Sequence, residues 1–256
     1  MSEAIDTQAF ALFVDNVTKK QEDGLYGSKG LDGISFCFEK KGIHGILAPK
    51  GSGKTALMDI ISGCDSDYEG EVLIFGDNVK KNKNMKSRIG YVQKVSSFYP
   101  DMTAVETMSF VGETRRVDQG KLYRQIKEAM ELVGIDEIKN RLVKNMTDFE
   151  QKKLSIAVAL LGNPDILLLD ETVSAKMSVE RMSELDGIIR MLGRVKTVVL
   201  ATDDYGLARA LCDDVVILSD GRVLAKGSFA ALDEKLARSE GGMTLETLYN
   251  SLASAN

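Results

Sequence analysis

The sequence contains one histidine, three cysteines and three prolines in 256 residues. With His44 alone, a metal site built from several histidines is excluded, and a Ser/His/Asp triad would have to use that one residue. Cys37, Cys64 and Cys212 are odd in number and form no CxxC pair, so neither a disulfide framework nor a zinc ribbon can be assembled. A reducing, cytoplasmic setting is the expectation. No apolar run approaches the ~18 residues that a bilayer span needs, and the opening stretch MSEAIDTQAFALFVDN is acidic where a signal peptide is basic. If the protein works at a membrane, another component must hold it there. Basic charge is also in short supply: 33 Lys plus Arg stand against 38 Asp plus Glu, a formal net charge of −5. The densest basic stretch, Lys80 to Arg88, reads as a solvated loop, and no nucleic-acid partner is expected.

What is present is an ordinary globular composition, 44% hydrophobic and 28% charged, at a length that suits one core with an inserted subdomain. Short β-branched runs alternate with segments of helical period, the pattern of an α/β layer fold. Strands are expected at Phe10 to Val17, Ile34 to Phe38, Gly42 to Ala48, Glu71 to Phe75 and Arg88 to Val92, with a helix over Lys54 to Ser62. From about Thr103 to Leu161 the period becomes helical: Leu122, Ile126, Met130 and Val133 recur at spacings of four, four and three, and a second helix is expected from about Glu150 to Leu161. Ile166 to Leu169 reads as a strand buried on both faces. A helix carrying Met182, Leu185, Ile188, Ile189 and Leu192 follows. Strands at Thr197 to Ala201 and Val215 to Leu218 come next, then an Asp220-Gly221 hairpin into Arg222 to Ala225. Two short helices end the chain, the first capped by Ser228.

The segment Ile46-Leu47-Ala48-Pro49-Lys50-Gly51-Ser52-Gly53-Lys54-Thr55 is a strand feeding a Gly-rich turn that opens a helix. Phosphates need several N–H donors aimed at one point; Gly51 and Gly53 permit close backbone approach, and the helix N-terminus adds positive charge. Lys54 would reach the β- and γ-phosphates and Thr55 would ligate Mg²⁺. The GxxxxGK[ST] pattern has Ala48 in place of its first glycine, which costs on the order of 1 kcal/mol if that position needs positive φ. A solvated lysine on a Gly-rich turn is the competing reading, and the strand–turn–helix context weighs against it. Downstream, Ile166-Leu167-Leu168-Leu169-Asp170-Glu171 is an apolar strand delivering two carboxylates at its end, which is how nucleotide sites acquire a Mg²⁺ partner and a base.

Together, loop, acids and intervening helical insert resemble the ATP-binding cassette subunit of ABC transporters across essentially the whole chain. LSIAVALLGNPDILLLD, from Leu154 to Asp170, is similar to subunits that pair with separate permeases of the ABC-2 exporter type. The resemblance implies an α/β P-loop NTPase core of ABC type with an antiparallel β subdomain and an inserted helical subdomain. It implies one domain over residues 1–256, with a core at about 1–102 and 162–256 and helices at about 103–161. By the same resemblance, ATP would be bound by Pro49, Lys50, Gly51, Ser52, Gly53, Lys54 and Thr55. Tyr26 would stack on adenine, Thr55 and Asp170 would hold Mg²⁺, and Glu171 would be the general base. The glutamine-loop position falls on Gln93 or Lys94. The implied partners are a transmembrane permease and a second cassette, identical or different, at the cytoplasmic face of the membrane.

The departures from the family pattern fall together. LSGGQ is replaced by Met146-Thr147-Asp148-Phe149-Glu150, which adds bulk and negative charge where a phosphate should be gripped. Met177 stands at the aspartate that organises the dimer interface. In Ala201-Thr202-Asp203-Asp204 an aspartate replaces the switch histidine, so repulsion replaces a hydrogen bond to phosphate. Hydrolysis that is weak or depends on a partner is therefore expected. The alternative is a nucleotide-binding regulatory or structural subunit without turnover.

Overall fold

The computed structural model describes residues 6–21, 30–82, 84–95, 97–173, 177–238 and 244–254. Two sheets form from the strand-rich regions. The first is antiparallel, in the order β2-β1-β4-β5, from β1 (Phe10–Lys19), β2 (Leu31–Glu39), β4 (Glu69–Ile74) and β5 (Asp77–Asn78). The second runs β10-β9-β3-β8-β7-β6. It comprises β3 (Gly42–Leu47), β6 (Ile89–Val92), β7 (Ile166–Asp170), β8 (Thr197–Thr202), β9 (Asp214–Ser219) and β10 (Arg222–Gly227). All its pairings are parallel except the β9–β10 hairpin.

Period-2 alternation divides the core into two. Ile166 and Leu168 of β7, Val199 of β8 and Val216 of β9 face α1 (Lys54–Ser62), which is held between the two sheets by Leu57, Met58, Ile60 and Ile61. Leu167, Leu169, Val198, Leu200, Val215 and Ile217 point the other way, into the cluster formed with the remaining helices. Because both faces are covered, every residue of β7 and β8 is buried, which explains the unbroken apolar runs.

The helical stretch begins where Thr103 caps α3 (Ala104–Thr114). The Thr103 hydroxyl accepts from the Glu106 N–H at 3.3 Å, while the Glu106 carboxylate accepts from the Thr103 N–H at 2.8 Å. On α4 (Gln119–Val133), Leu122, Ile126, Met130 and Val133 are all buried, as their spacing predicts. α5 covers Asp148–Ala159, starting two residues before the expected Glu150 because Thr147 and Glu150 form a second capping box. The remaining helices are α6 (Val179–Val195), α7 (Tyr205–Leu211), α8 (Phe229–Arg238) and α9 (Leu245–Ser254). Ser228 accepts from the Ala231 N–H at 3.3 Å at the start of α8, as expected of its cap.

In the stretch Lys80 to Arg88, Lys80, Lys81 and Lys86 are exposed as expected, but its last four residues are not loop. They form the short α2 (Met85–Arg88), with Met85 buried. Lys80 lies 3.5 Å over the Tyr68 ring, and Arg88 pairs with Asp77 and Asp165 at 2.8 and 2.6 Å. No helix among the described residues is long and apolar enough to cross a membrane.

Candidate functional site

Parallel register brings the carboxyl ends of four strands to one edge. Leu47 lies opposite Thr202, Asp170 opposite Ala201 and Val92 opposite Leu169, so the segments leaving β3, β8, β7 and β6 converge. Ligand sites of open parallel sheets form at this edge.

The turn leaving β3 places Gly51 at φ +76° and Gly53 at φ +90°, conformations that L side chains rarely adopt. A Cβ on Gly53 would meet Leu31 Cδ2 at 2.7 Å, so the first sheet presses directly on this turn; around Gly51 the space is open. Ala48 is absent from the positive-φ residues, so the missing first glycine leaves no strain there. Pro49 is buried, Lys50 exposed, and Ser52 fully buried. Lys54 is 4% exposed and its ammonium donates to the carbonyls of Ala48 at 2.5 Å and Pro49 at 3.1 Å, so the turn closes around its own lysine. Burial pulls the Lys54 pKa below the ordinary lysine value, against the opposing charges of Glu171, Asp203 and Asp170.

Asp170 ends β7 with no exposed surface, and neither of its oxygens has a hydrogen-bond partner of standard geometry among the described residues. Burial, with the charges of Glu171 and Asp59 adding, raises its pKa to about 6, while the neighbouring Thr55 hydroxyl and Lys54 pull the other way. Ser52 Oγ and Thr172 Oγ1 are likewise buried without a partner. Unmatched buried oxygens are costly, and Ser52 on the turn, with Asp170 beside Thr55 and Lys54, is suited to a ligand that supplies the missing contacts. Mg²⁺ takes oxygen donors, one or two of them carboxylates, and completes its shell with phosphates and water. Asp170 with the exposed Thr55 hydroxyl fits that requirement.

Glu171 adopts φ +44°, a left-handed conformation unusual for this residue type, and its N–H donates to Ala201 O at 3.0 Å. Its carboxylate lies between two ammonium groups, Lys54 Nζ at 3.8 Å from Oε1 and Lys94 Nζ at 2.7 Å from Oε2. Of the two glutamine-loop candidates, both exposed just after β6, Lys94 makes an ion pair with Glu171. Hydrogen bonding to Glu171 raises the Lys94 pKa above the usual lysine value, outweighing partial burial. A third lysine, Lys152 on α5, donates to Lys94 O at 3.2 Å. Lys152 and Thr172 lie outside the sequence-level site. Thr172 adjoins the two acids and was legible as a neighbour, whereas nothing in the sequence links Lys152 to a loop 58 residues away.

Tyr26 and the segment 174–176 fall outside the described residues. Met177 is half-buried against the larger core cluster. Asp203 is half-buried; its carbonyl accepts from Tyr249 of α9 at 2.8 Å, and Asp203, Tyr249, Pro49, Lys50 and Ala253 line a cavity of about 290 Å³. Phe149 turns toward cations, with Lys153 and Arg181 5.1 and 5.3 Å from its ring, and Glu150 pairs with Arg141 at 2.8 Å. The sole histidine is remote from this edge of the sheet: His44 stacks on Phe38 at 4.7 Å and pairs with Asp214 at 2.6 Å.

A phosphate loop between a buried parallel strand and α1, with acids at the end of β7, one strand removed from β3 across β8, defines the α/β P-loop NTPase fold. Residues 31–174 match the model of the ABC transporter family, and the chain belongs to that family, as one of its ATP-binding cassettes. Solved structures agree on the fold. A dimeric, post-hydrolysis state of the ATP-binding cassette MJ0796 bound to ADP and Pi is 23% identical, covering 85% of this chain and 98% of its own at a TM-score of 0.74. An ATP-binding subunit of an ABC transporter is 18% identical over 94% of this chain and 99% of its own, with a TM-score of 0.79. The cassette cbiO1 from Clostridium perfringens, part of the transporter complex cbiONQ, is 20% identical over 95% and 98%, with a TM-score of 0.74.

Proposed function

We propose that this cassette binds Mg-ATP at the turn from Pro49 to Thr55 and hydrolyses it weakly, or only with a partner cassette, to drive export through a permease of the ABC-2 type. The observation that carries the reading is the pair of buried oxygen donors without a standard hydrogen bond, Ser52 on the turn and Asp170 at the end of β7, with the buried ammonium of Lys54 acting on Asp170. In this reading the backbone N–H groups of the Gly51–Gly53 turn and the first turn of α1 bind phosphate oxygens, and Lys54 adds a fixed positive charge. Asp170 and Thr55 would hold Mg²⁺, which when bound neutralises charge on the phosphates. Glu171 accepts a proton from the attacking water at a carboxylate oxygen. The working unit is a pair of cassettes, identical or different, docked on a permease at the cytoplasmic face of the membrane.

A non-hydrolysing, nucleotide-binding regulatory or structural subunit is the second reading, favoured by the aspartate at the switch-histidine position and by the N-terminus of α5. There the Thr147–Glu150 box already satisfies N–H groups that a partner's phosphate would otherwise use. Glu171→Gln separates the two. On the first reading, purified dimer with its permease loses phosphate release in this variant while retaining ATP binding; absence of turnover in the wild-type complex favours the second.

A further inference from the structure

We propose that Lys94 positions Glu171 and senses the terminal phosphate of the nucleotide, an inference that rests on the ATP-binding reading above. The two lysines that flank Glu171 differ in freedom. Lys54 is buried and tied to two carbonyls, so its ammonium is fixed. The Lys94 side chain is 50% exposed, on the loop leaving β6, and its ammonium reaches Glu171 Oε2 at 2.7 Å. Its backbone carbonyl accepts from Lys152, so the loop is anchored to α5, and the half-exposed side chain is held at its tip by Glu171.

This arrangement gives Glu171 two states. With Lys94 on Oε2 and Lys54 near Oε1, the lone pairs that would take a proton from water face ammonium groups, and the carboxylate is a poor base. The Glu171 backbone is held by Ala201 and its side chain is 18% exposed, so Lys94, the longer side chain at 50% exposed, is the member of the pair with room to move. A terminal phosphate is a stronger anionic acceptor than a carboxylate and competes for the same ammonium. Lys94 exchanges Glu171 for phosphate, and the base is released only when a triphosphate is bound. A diphosphate lacks that third group and leaves the Lys94–Glu171 pair in place. The lysine in the glutamine-loop position thus couples the presence of the terminal phosphate to the availability of the base.

The test is calorimetric titration of the full chain with ATP and with ADP, each with Mg²⁺, for the wild type, Lys94→Met, Lys94→Arg and Glu171→Gln. Because Lys94 is half exposed, Lys94→Met is expected to fold, which nucleotide-free thermal melting checks. Lys94→Met should weaken ATP roughly tenfold, the loss of one hydrogen bond to a charged group, and leave ADP within about twofold. Lys94→Arg should restore most of the ATP affinity. Glu171→Gln, which releases Lys94 from its carboxylate, should tighten ATP and not ADP. An unchanged ATP-to-ADP ratio in Lys94→Met overturns the inference while leaving the ATP-binding reading intact. A wild type that binds neither nucleotide overturns both.

Discussion

Alanine at Gly51 and alanine at Gly53 are the same chemical change two residues apart in one turn, and the structure assigns them different costs. Both positions have positive φ, +76° and +90°, so each substitution places an L side chain in a left-handed conformation at about 1 kcal/mol or slightly more. Gly51→Ala stops there, because nothing lies within 4 Å of the added carbon. Gly53→Ala must also displace Leu31 Cδ2 from 2.7 Å, and Leu31, 2% exposed, is packed in the core beneath the turn. Overpacking of that kind costs about 1–3 kcal/mol, giving a total of about 2–4 kcal/mol for Gly53→Ala. Urea unfolding of the nucleotide-free chain measures both values. Combining Gly53→Ala with Leu31→Val, which removes the δ-carbons, should recover part of the loss, so the pair should be strongly non-additive. Equal losses for the two glycine variants, or strict additivity with Leu31→Val, would refute the claim that the first sheet supports the phosphate loop through this contact.

Three further outcomes follow from particular contacts. His44 presents Nδ1 to Asp214 and Nε2 to Lys41 O, both acceptors, so only the imidazolium satisfies both. Burial lowers its pKa, but Asp214 and the Lys41 carbonyl raise it by more, leaving it above the ordinary histidine value. This contribution to stability is fully present below the unfolded pKa of about 6.5 and is lost as pH rises through the folded value. The unfolding midpoint should therefore fall across that window, and Asp214→Asn should flatten the fall; an identical pH slope in the variant would contradict the assignment. Thr147→Ala removes the α5 cap, and urea unfolding should show a loss of about 1 kcal/mol, whereas a neutral result would mean that Glu150 and Arg141 hold the helix start unaided. Asp203→His, combined with LSGGQ over residues 146–150, should raise phosphate release by the dimer, and an unchanged rate would show that these departures do not limit turnover.

Strands buried on both faces and amphipathic helices announced themselves in the sequence because burial dictates composition: the apolar run from Ile166 and the Leu122–Val133 spacing are direct consequences of packing. The phosphate loop was legible for a related reason, since Gly51 and Gly53 occupy backbone conformations for which glycine is suited. Helix starts were less visible, because a capping box at Thr147 and Glu150 depends on side chains folding back on the chain rather than on periodicity. The choice between Gln93 and Lys94 could not be made from spacing either. It depends on which side chain just past β6 meets Glu171 just past β7, a long-range relation that the parallel pairing of the two strands sets up and spacing along the chain does not reveal. The same holds for His44, whose charge pair with Asp214 is made across β3 and β9. Ala48 erred in the other direction: a substitution that looked costly sits in an ordinary backbone conformation.

The central claim is that the buried Lys54, with the buried oxygens of Ser52 and Asp170, forms a Mg-ATP site. Isothermal titration of the purified chain with Mg-ATP tests it most directly, with Lys54→Met as the matched control that keeps the side-chain length and removes the charge. The account predicts saturable binding by the wild type that is lost in Lys54→Met while the variant remains folded by circular dichroism. No saturable heat in the wild type, or equal affinity in Lys54→Met, would contradict it.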